Sequence, residues 1–171
     1  VHMLHASLPP DAQEQAIAPP PPGHRKVVLS TNVAETSVTI EGIRVVIDSG
    51  QARVSVYDER RGMDTLQTER ISAASAEQRR GRAGRLMPGV CVRIWGESEQ
   101  LKPFSDPEIS RADLLPVALE LALWGIADPS QLLLPTLPSG EGYARARAVL
   151  RSLDALDEQG RVTALGKQMA S

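Results

Sequence analysis

The stretch RKVVLSTNVAETSVTIEGIRVVIDSG, residues 25–50, decides the fold. Its opening, residues 25–30, carries the apolar run Val27-Val28-Leu29 with two β-branched valines, the near-continuous apolar pattern of a buried strand. Asn32 follows, with Glu35 three residues on, the spacing of a capping box at a helix start. Residues 44–47 repeat the buried-strand pattern and stop at Asp48-Ser49-Gly50, a turn signal. Strands that alternate with helical segments in this way predict a parallel sheet with crossover helices, an α/β fold.

Toward the N-terminus, residues 1–4 read as the end of a strand. Pro9-Pro10-Asp11 open a helix that runs to about Ile17, where the prolines at 19–22 stop it. A chain that opens on the end of a strand implies that an earlier strand and helix of the same domain lie outside this sequence. Toward the C-terminus, residues 53–57 and 65–70 alternate polar and apolar side chains around a polar turn at Gly62, which predicts an inserted hairpin. Ser75 is placed to cap a helix that carries residues 78–85, and residues 89–95 read as another buried strand.

Beyond that strand the period becomes helical. Leu114, Leu115, Ala118, Leu121 and Ala122 share a face that Gly125 terminates, and Ala146, Val149, Leu150 and Leu153 stripe a second helix over about 142–153. Residues 161–163 suit a short wing strand. The expected division is an α/β domain over 1–96 and a mostly helical segment over 97–171.

With 171 residues, 42% of them hydrophobic, the chain can bury one ordinary core and a small second unit. The single cysteine, Cys91, forms no internal disulfide, and no stretch has the layout of a signal peptide. The longest apolar run, residues 114–124, is interrupted by Pro116 and Glu120 and is too short to cross a bilayer, so a cytoplasmic protein with no membrane partner is expected. Net charge is only -2, but residues 1–95 hold twelve basic against ten acidic side chains, and residues 96–171 seven against eleven. Arginine dominates the basic residues, which suits bidentate phosphate contacts. GC-rich coding produces the same bias, so only arginines at particular positions carry weight.

Those positions lie in QRRGRAGR, residues 78–85. On a continuous helix Gln78, Arg82 and Arg85 emerge along one face, at i, i+4 and i+7. Gly81 and Gly84 each cost a helix about 1 kcal/mol relative to alanine, which suggests a close approach there, with a phosphate chain as one candidate. A solvated basic helix is the competing reading. Upstream, residues 30–40 set hydroxyl side chains and a helix start directly after a buried strand, where α/β sheets bind ligands. Local capping by Asn32 and Glu35 explains that segment equally well.

Four segments settle between these readings by resemblance. LHASLP at 4–9, residues 30–40, VVID at 45–48 and residues 78–85 occur in the order and approximate spacing of the second motor domain of DEAH-box helicases of superfamily 2. Similarity continues through residues 107–109, 122–129, 153–157 and 163–166, and looks most like the bacterial HrpB-like branch. The resemblance implies a RecA-like α/β domain over 1–96, incomplete at its N-terminus, then a winged-helix segment and the start of a helical region over 97–171.

It also implies a chemistry. In such enzymes ATP with Mg²⁺ sits between two RecA-like domains and is held mainly by the first, which is a partner this sequence does not contain. Arg82 and Arg85 match the arginine fingers, and Gln78 matches the glutamine that arranges the γ-phosphate and attacking water. Glu41 stands where many relatives place an aspartate near the ribose, and Thr39 lies in the same nucleotide-facing stretch. Thr31, Asn32 and Ser37 match positions at the RNA backbone, with DNA left open as a further substrate. Many relatives stack an aromatic ring on adenine from the region that reads Ala16-Ile17-Ala18-Pro19 here, so base selectivity is expected to be weak or supplied elsewhere.

The inserted hairpin resembles one placed near the emerging strand, although a surface hairpin that docks on a neighbouring domain fits as well. The chain has no Walker A segment and no Asp-Glu-x-His run, so alone it is expected not to hydrolyse ATP. The alternative function is a non-enzymatic winged-helix nucleic-acid-binding module whose arginines form a phosphate patch. His2, His5 and His24 lack metal-ligand spacing, and no nucleophile elbow is present.

Overall fold

A computed structural model describes residues 1–36, 38–96 and 98–170. The order of elements is β1 (His2–Leu4), α1 (Pro10–Ile17), β2 (Val28–Ser30), α2 (Val33–Thr36), β3 (Val45–Asp48), β4 (Gln51–Asp58), β5 (Met63–Arg70), α3 (Ala73–Gly81), β6 (Val90–Arg93), α4 (Leu115–Leu123), α5 (Gly140–Ser152) and α6 (Ala164–Met169). Two compact units result: Val1–Val54 with Leu66–Ser105, and Ser55–Thr65 with Asp106–Ser171.

In the first unit β1 pairs in parallel with β2, Met3 opposite Leu29, and β3 pairs in parallel with β6, Val46 opposite Cys91. Among the described residues no ladder joins the two pairs. The parallel α/β expectation therefore holds, but the strands are shorter than their apolar runs and are covered on one side only. Along β3 burial alternates, with Asp48 buried while Val45 and Ile47 are 57% and 70% exposed. β-Branched residues on the open face gave the run its apolar look without its being buried. On the covered face α3 packs against β3 and α2.

Helix α3 departs from expectation at both ends. Its cap is Ser72, whose backbone is extended (φ -80°, ψ 164°) and whose Oγ accepts the N–H of Ser75 at 3.1 Å; Ser75 itself lies inside the helix. The helix stops at Gly81 with Arg82 as its C-cap, so Gln78, Arg82 and Arg85 do not lie along one uninterrupted face. Glycines at 81 and 84 make the last turn expensive to extend.

Neither of those glycines is closely approached, since a Cβ at either would meet no protein atom within 4 Å. The tight approach is at Gly89, where a Cβ would collide with the main-chain oxygen of Ala83 and stand 2.7 Å from that of Arg44. Gly50 is constrained as well: its φ is +70°, and a Cβ there would lie 2.8 Å from the Trp95 ring.

The second unit has its own core, in which Leu114, Ala118, Leu121, Tyr143, Ala146 and Leu150 join α4 to α5. Helix α5 begins slightly before the expected residue 142, because Ser139 Oγ accepts the N–H of Gly142 at 3.0 Å and acts as its cap. The wing expected at 161–163 reduces to a single antiparallel bridge, Leu156 to Val162. The tip of the β4–β5 hairpin belongs to this unit: Tyr57 donates its N–H to Arg111 O at 2.8 Å, and Arg145 ion-pairs with Glu59. Among the described residues no helix is long and apolar enough to cross a membrane.

Candidate functional site

Three arginines spaced by three residues, Arg79, Arg82 and Arg85, meet residues 35–39 in the same order. Arg79 donates from Nε to Glu35 Oε2 at 2.9 Å, from Nη1 to Asp48 Oδ1 at 2.9 Å and also to Gln51 O at 3.0 Å. One guanidinium thus ties α2 to the end of β3 and the start of β4. The cluster is well removed from water, with side-chain exposures of 14% for Arg79, 17% for Glu35 and 1% for Asp48. Asp48 Oδ1 also accepts the N–H of Gly50 at 3.0 Å, while Oδ2 is buried without a partner among the described residues. Glu35, expected to close a capping box on Asn32, ion-pairs with Arg79 instead.

Arg82 engages the same segment through neutral atoms. Its Nε donates to Glu35 O at 3.0 Å, Nη1 donates to Val38 O at 2.9 Å, and Nη2 also reaches Glu35 O. Burial pulls its pKa down, the neighbouring Arg85 adds to that, and Glu35 opposes it. Arginine remains charged under these influences. Arg85, past the end of α3, is exposed and donates from Nη1 to Thr39 Oγ1 at 3.0 Å.

The structure therefore brings Arg82, Arg85 and Thr39 together. Gln78 is exposed on α3. Thr31 and Asn32 are exposed in the loop after β2, where Thr31 donates its N–H to Leu4 O and Asn32 O accepts the N–H of Glu35. Glu41 is exposed in the turn before β3, and among the described residues no hydrogen bond joins it to the arginines. Ser37 lies outside the described residues. A cavity of about 510 Å³ is lined in part by Thr31, Asn32, Glu35, Asp48, Arg79 and Arg82. Among the described residues no group of three His, Cys, Asp or Glu is placed to hold a metal ion.

Sequence reasoning missed Arg79. The signal was the spacing 79, 82, 85 together with the acidic residues at 35 and 48; a face drawn from Gln78 passes it by.

The helicase conserved C-terminal domain model matches residues 1–87, and the helicase-associated domain (HA2), winged-helix model matches residues 146–171. Over 170 residues the chain is 44% identical to the ATP-dependent RNA helicase HrpB of Escherichia coli, covering 98% of the chain and 21% of that protein. It is 42% identical over 170 residues to the pre-mRNA-splicing factor ATP-dependent RNA helicase prp22 of Schizosaccharomyces pombe, covering 98% of the chain and 15% of that protein. It is 41% identical over 169 residues to the probable ATP-dependent RNA helicase DHX34 of Homo sapiens, with coverage of 98% and 15%. The chain thus spans about a fifth or less of the length of these curated relatives. Two crystal structures of Escherichia coli HrpB superpose on 98% of the chain at 44% identity, with TM-scores of 0.86 and 0.88, and are covered over 21% and 22% of their own length.

Proposed function

Because the chain belongs to the DEAH-box helicases of superfamily 2, in their HrpB-like branch, we propose that it acts as the C-terminal motor half of an enzyme that couples ATP hydrolysis to RNA unwinding or remodelling. Its α/β part is RecA-like. Residues 1–96 serve as the second RecA-like domain, and residues 97–171 as the winged-helix segment and the start of a helical region.

The observation that carries this reading is Arg85, an exposed guanidinium at the end of the arginine series, held among the described residues by one hydrogen bond to Thr39. A cation so placed can meet the terminal phosphate of a nucleotide bound chiefly by the first RecA-like domain, where it stabilises charge that grows in the transition state. Arg82 joins it by exchanging the carbonyls of Glu35 and Val38 for phosphate oxygens. Gln78 arranges the attacking water, and Thr39 with Glu41 faces the nucleotide sugar. ATP brings the transferable phosphoryl group, and Mg²⁺ is held on the first domain.

Thr31, Asn32 and Ser37 contact the sugar-phosphate backbone of RNA, and of DNA if it is also a substrate; such contacts fix the position of a strand without reading its sequence. The protein works in the cytoplasm. A non-enzymatic winged-helix module is not favoured, because it leaves the helicase-domain match over residues 1–87 without a role. The test is ATP hydrolysis by the complete protein with and without RNA. Turnover that rises with RNA is expected, and turnover indifferent to RNA overturns the reading.

A further inference from the structure

The three arginines are not chemically equivalent. Arg79 is neutralised by two carboxylates, Glu35 and Asp48, and is only 14% exposed. Arg82 and Arg85 rest on carbonyls and a hydroxyl, so their charge stays available to a phosphate. A guanidinium that is already paired and desolvated is poorly suited to receive a ligand, because leaving its partners would strand the buried Asp48 and the partly shielded Glu35. It is well suited to hold elements together. Glu35 receives Arg79 on its carboxylate and Arg82 on its main-chain oxygen, and it stands in the segment between Asn32 and Thr39.

We infer that Arg79 is a positioning residue which, through Glu35, locks the segment bearing Glu35, Val38 and Thr39 to α3, so that a strand contacting the loop after β2 sets the placement of Arg82 and Arg85. The inference rests on the function proposed above. Asn32, on the strand-contacting side, joins Glu35 through the hydrogen bond from Glu35 N–H to Asn32 O at 2.9 Å. Glu35 joins α3 through Arg79, and the next turns of the same segment carry the two phosphate-facing arginines. Such a contiguous physical connection carries coupling when ligands bias both of its ends.

The variant of choice is Glu35→Gln in the complete protein. It removes the charge pairing to Arg79 while leaving Arg79 on Asp48 and Gln51, and it keeps the main-chain oxygen that Arg82 uses. The quantity read is the ratio of RNA-stimulated to RNA-free turnover. It is expected to fall by about 5- to 150-fold, with RNA-free turnover and RNA affinity each within about threefold of wild type. Adding Arg79→Gln is expected to leave that ratio within about twofold of the Glu35→Gln value, because the pair acts as a unit in coupling, while it lowers stability further because Asp48 loses its cation.

An unchanged ratio overturns the inference, and so does an equal fall in both rates, which is the mark of a purely structural pair. If the variant does not fold, amide exchange in the wild-type protein decides. RNA must slow exchange at residues 79–85 as well as at 35–39, and slowing confined to 35–39 overturns the inference. Wild-type turnover that ignores RNA sinks the proposed function itself; RNA-stimulated wild type with an intact ratio in the variant sinks only the role of Arg79.

Discussion

Arg85 Nη1 donates to Thr39 Oγ1 at 3.0 Å, which among the described residues holds an exposed cation against the segment before β3 by one neutral acceptor. In the complete helicase Arg85→Ala is expected to lower kcat by about 10³- to 10⁵-fold and to change RNA affinity by less than about threefold. Thr39→Val removes only the acceptor and is expected to cost about 2- to 12-fold in kcat, the worth of one hydrogen bond. Steady-state ATPase assays with RNA titration check both, and a large loss of RNA binding in Arg85→Ala would count against a phosphate-facing role.

Gly89 and the two motif glycines make opposite predictions. Gly89→Ala forces a methyl group into the main-chain oxygens of Ala83 and Arg44, which cannot step aside as a side chain does. It is expected to destabilise by about 2 kcal/mol or more. Gly81→Ala enters open space within a helix and is expected to be neutral or to stabilise by up to about 1 kcal/mol. Denaturation midpoints of the two variants should therefore move apart, and a shared direction would mean that the packing at Gly89 is misread.

Asp154 is the one described non-glycine residue with positive φ, at +56°, just past the C-cap of α5. A side chain in the left-handed region carries a steric cost that glycine avoids. Asp154→Gly is expected to raise stability by about 0.5–1 kcal/mol, read as a higher unfolding temperature. The main-chain oxygen of Asp154 continues to accept from Thr163 Oγ1, so the turn survives the change.

Base selectivity offers a further check. Residues 16–19 hold no aromatic ring, and Ala16 is fully buried at the end of α1, so this region presents no stacking surface for a purine. In the complete helicase GTP is expected to compete with ATP within about tenfold in affinity. Competition assays measure this directly, and a strong preference for ATP would require a selecting group elsewhere in the protein.

The strands at 28–30, 45–48 and 90–93 were legible because β-branched runs bounded by turn residues declare themselves locally. The start of α3 was not, since Ser72 and Ser75 are equally good caps by type. Ser72 is selected by distant chain: Ala73 N–H donates to Lys102 O at 2.8 Å and Ala74 N–H to Pro103 O at 3.1 Å. The bare face of β3 and β6 was also invisible, because an apolar run does not say which of its sides is covered. At the site, Arg82, Arg85 and Thr39 were nameable from their motifs, whereas Arg79 was not. Its importance lies in meeting Glu35 and Asp48, which stand 44 and 31 positions away in sequence.

The arginines at 79, 82 and 85 engage residues 35–39 like teeth on a rack. A rack tolerates a worn tooth better than a change of pitch. One residue inserted or lost between 35 and 39, or between 79 and 85, would put every later tooth out of mesh at once, whatever its chemical identity. Length in these two short stretches therefore matters to the fit as much as composition does, and freedom to lengthen or shorten the chain is expected at exposed turns such as the one at residues 59–62.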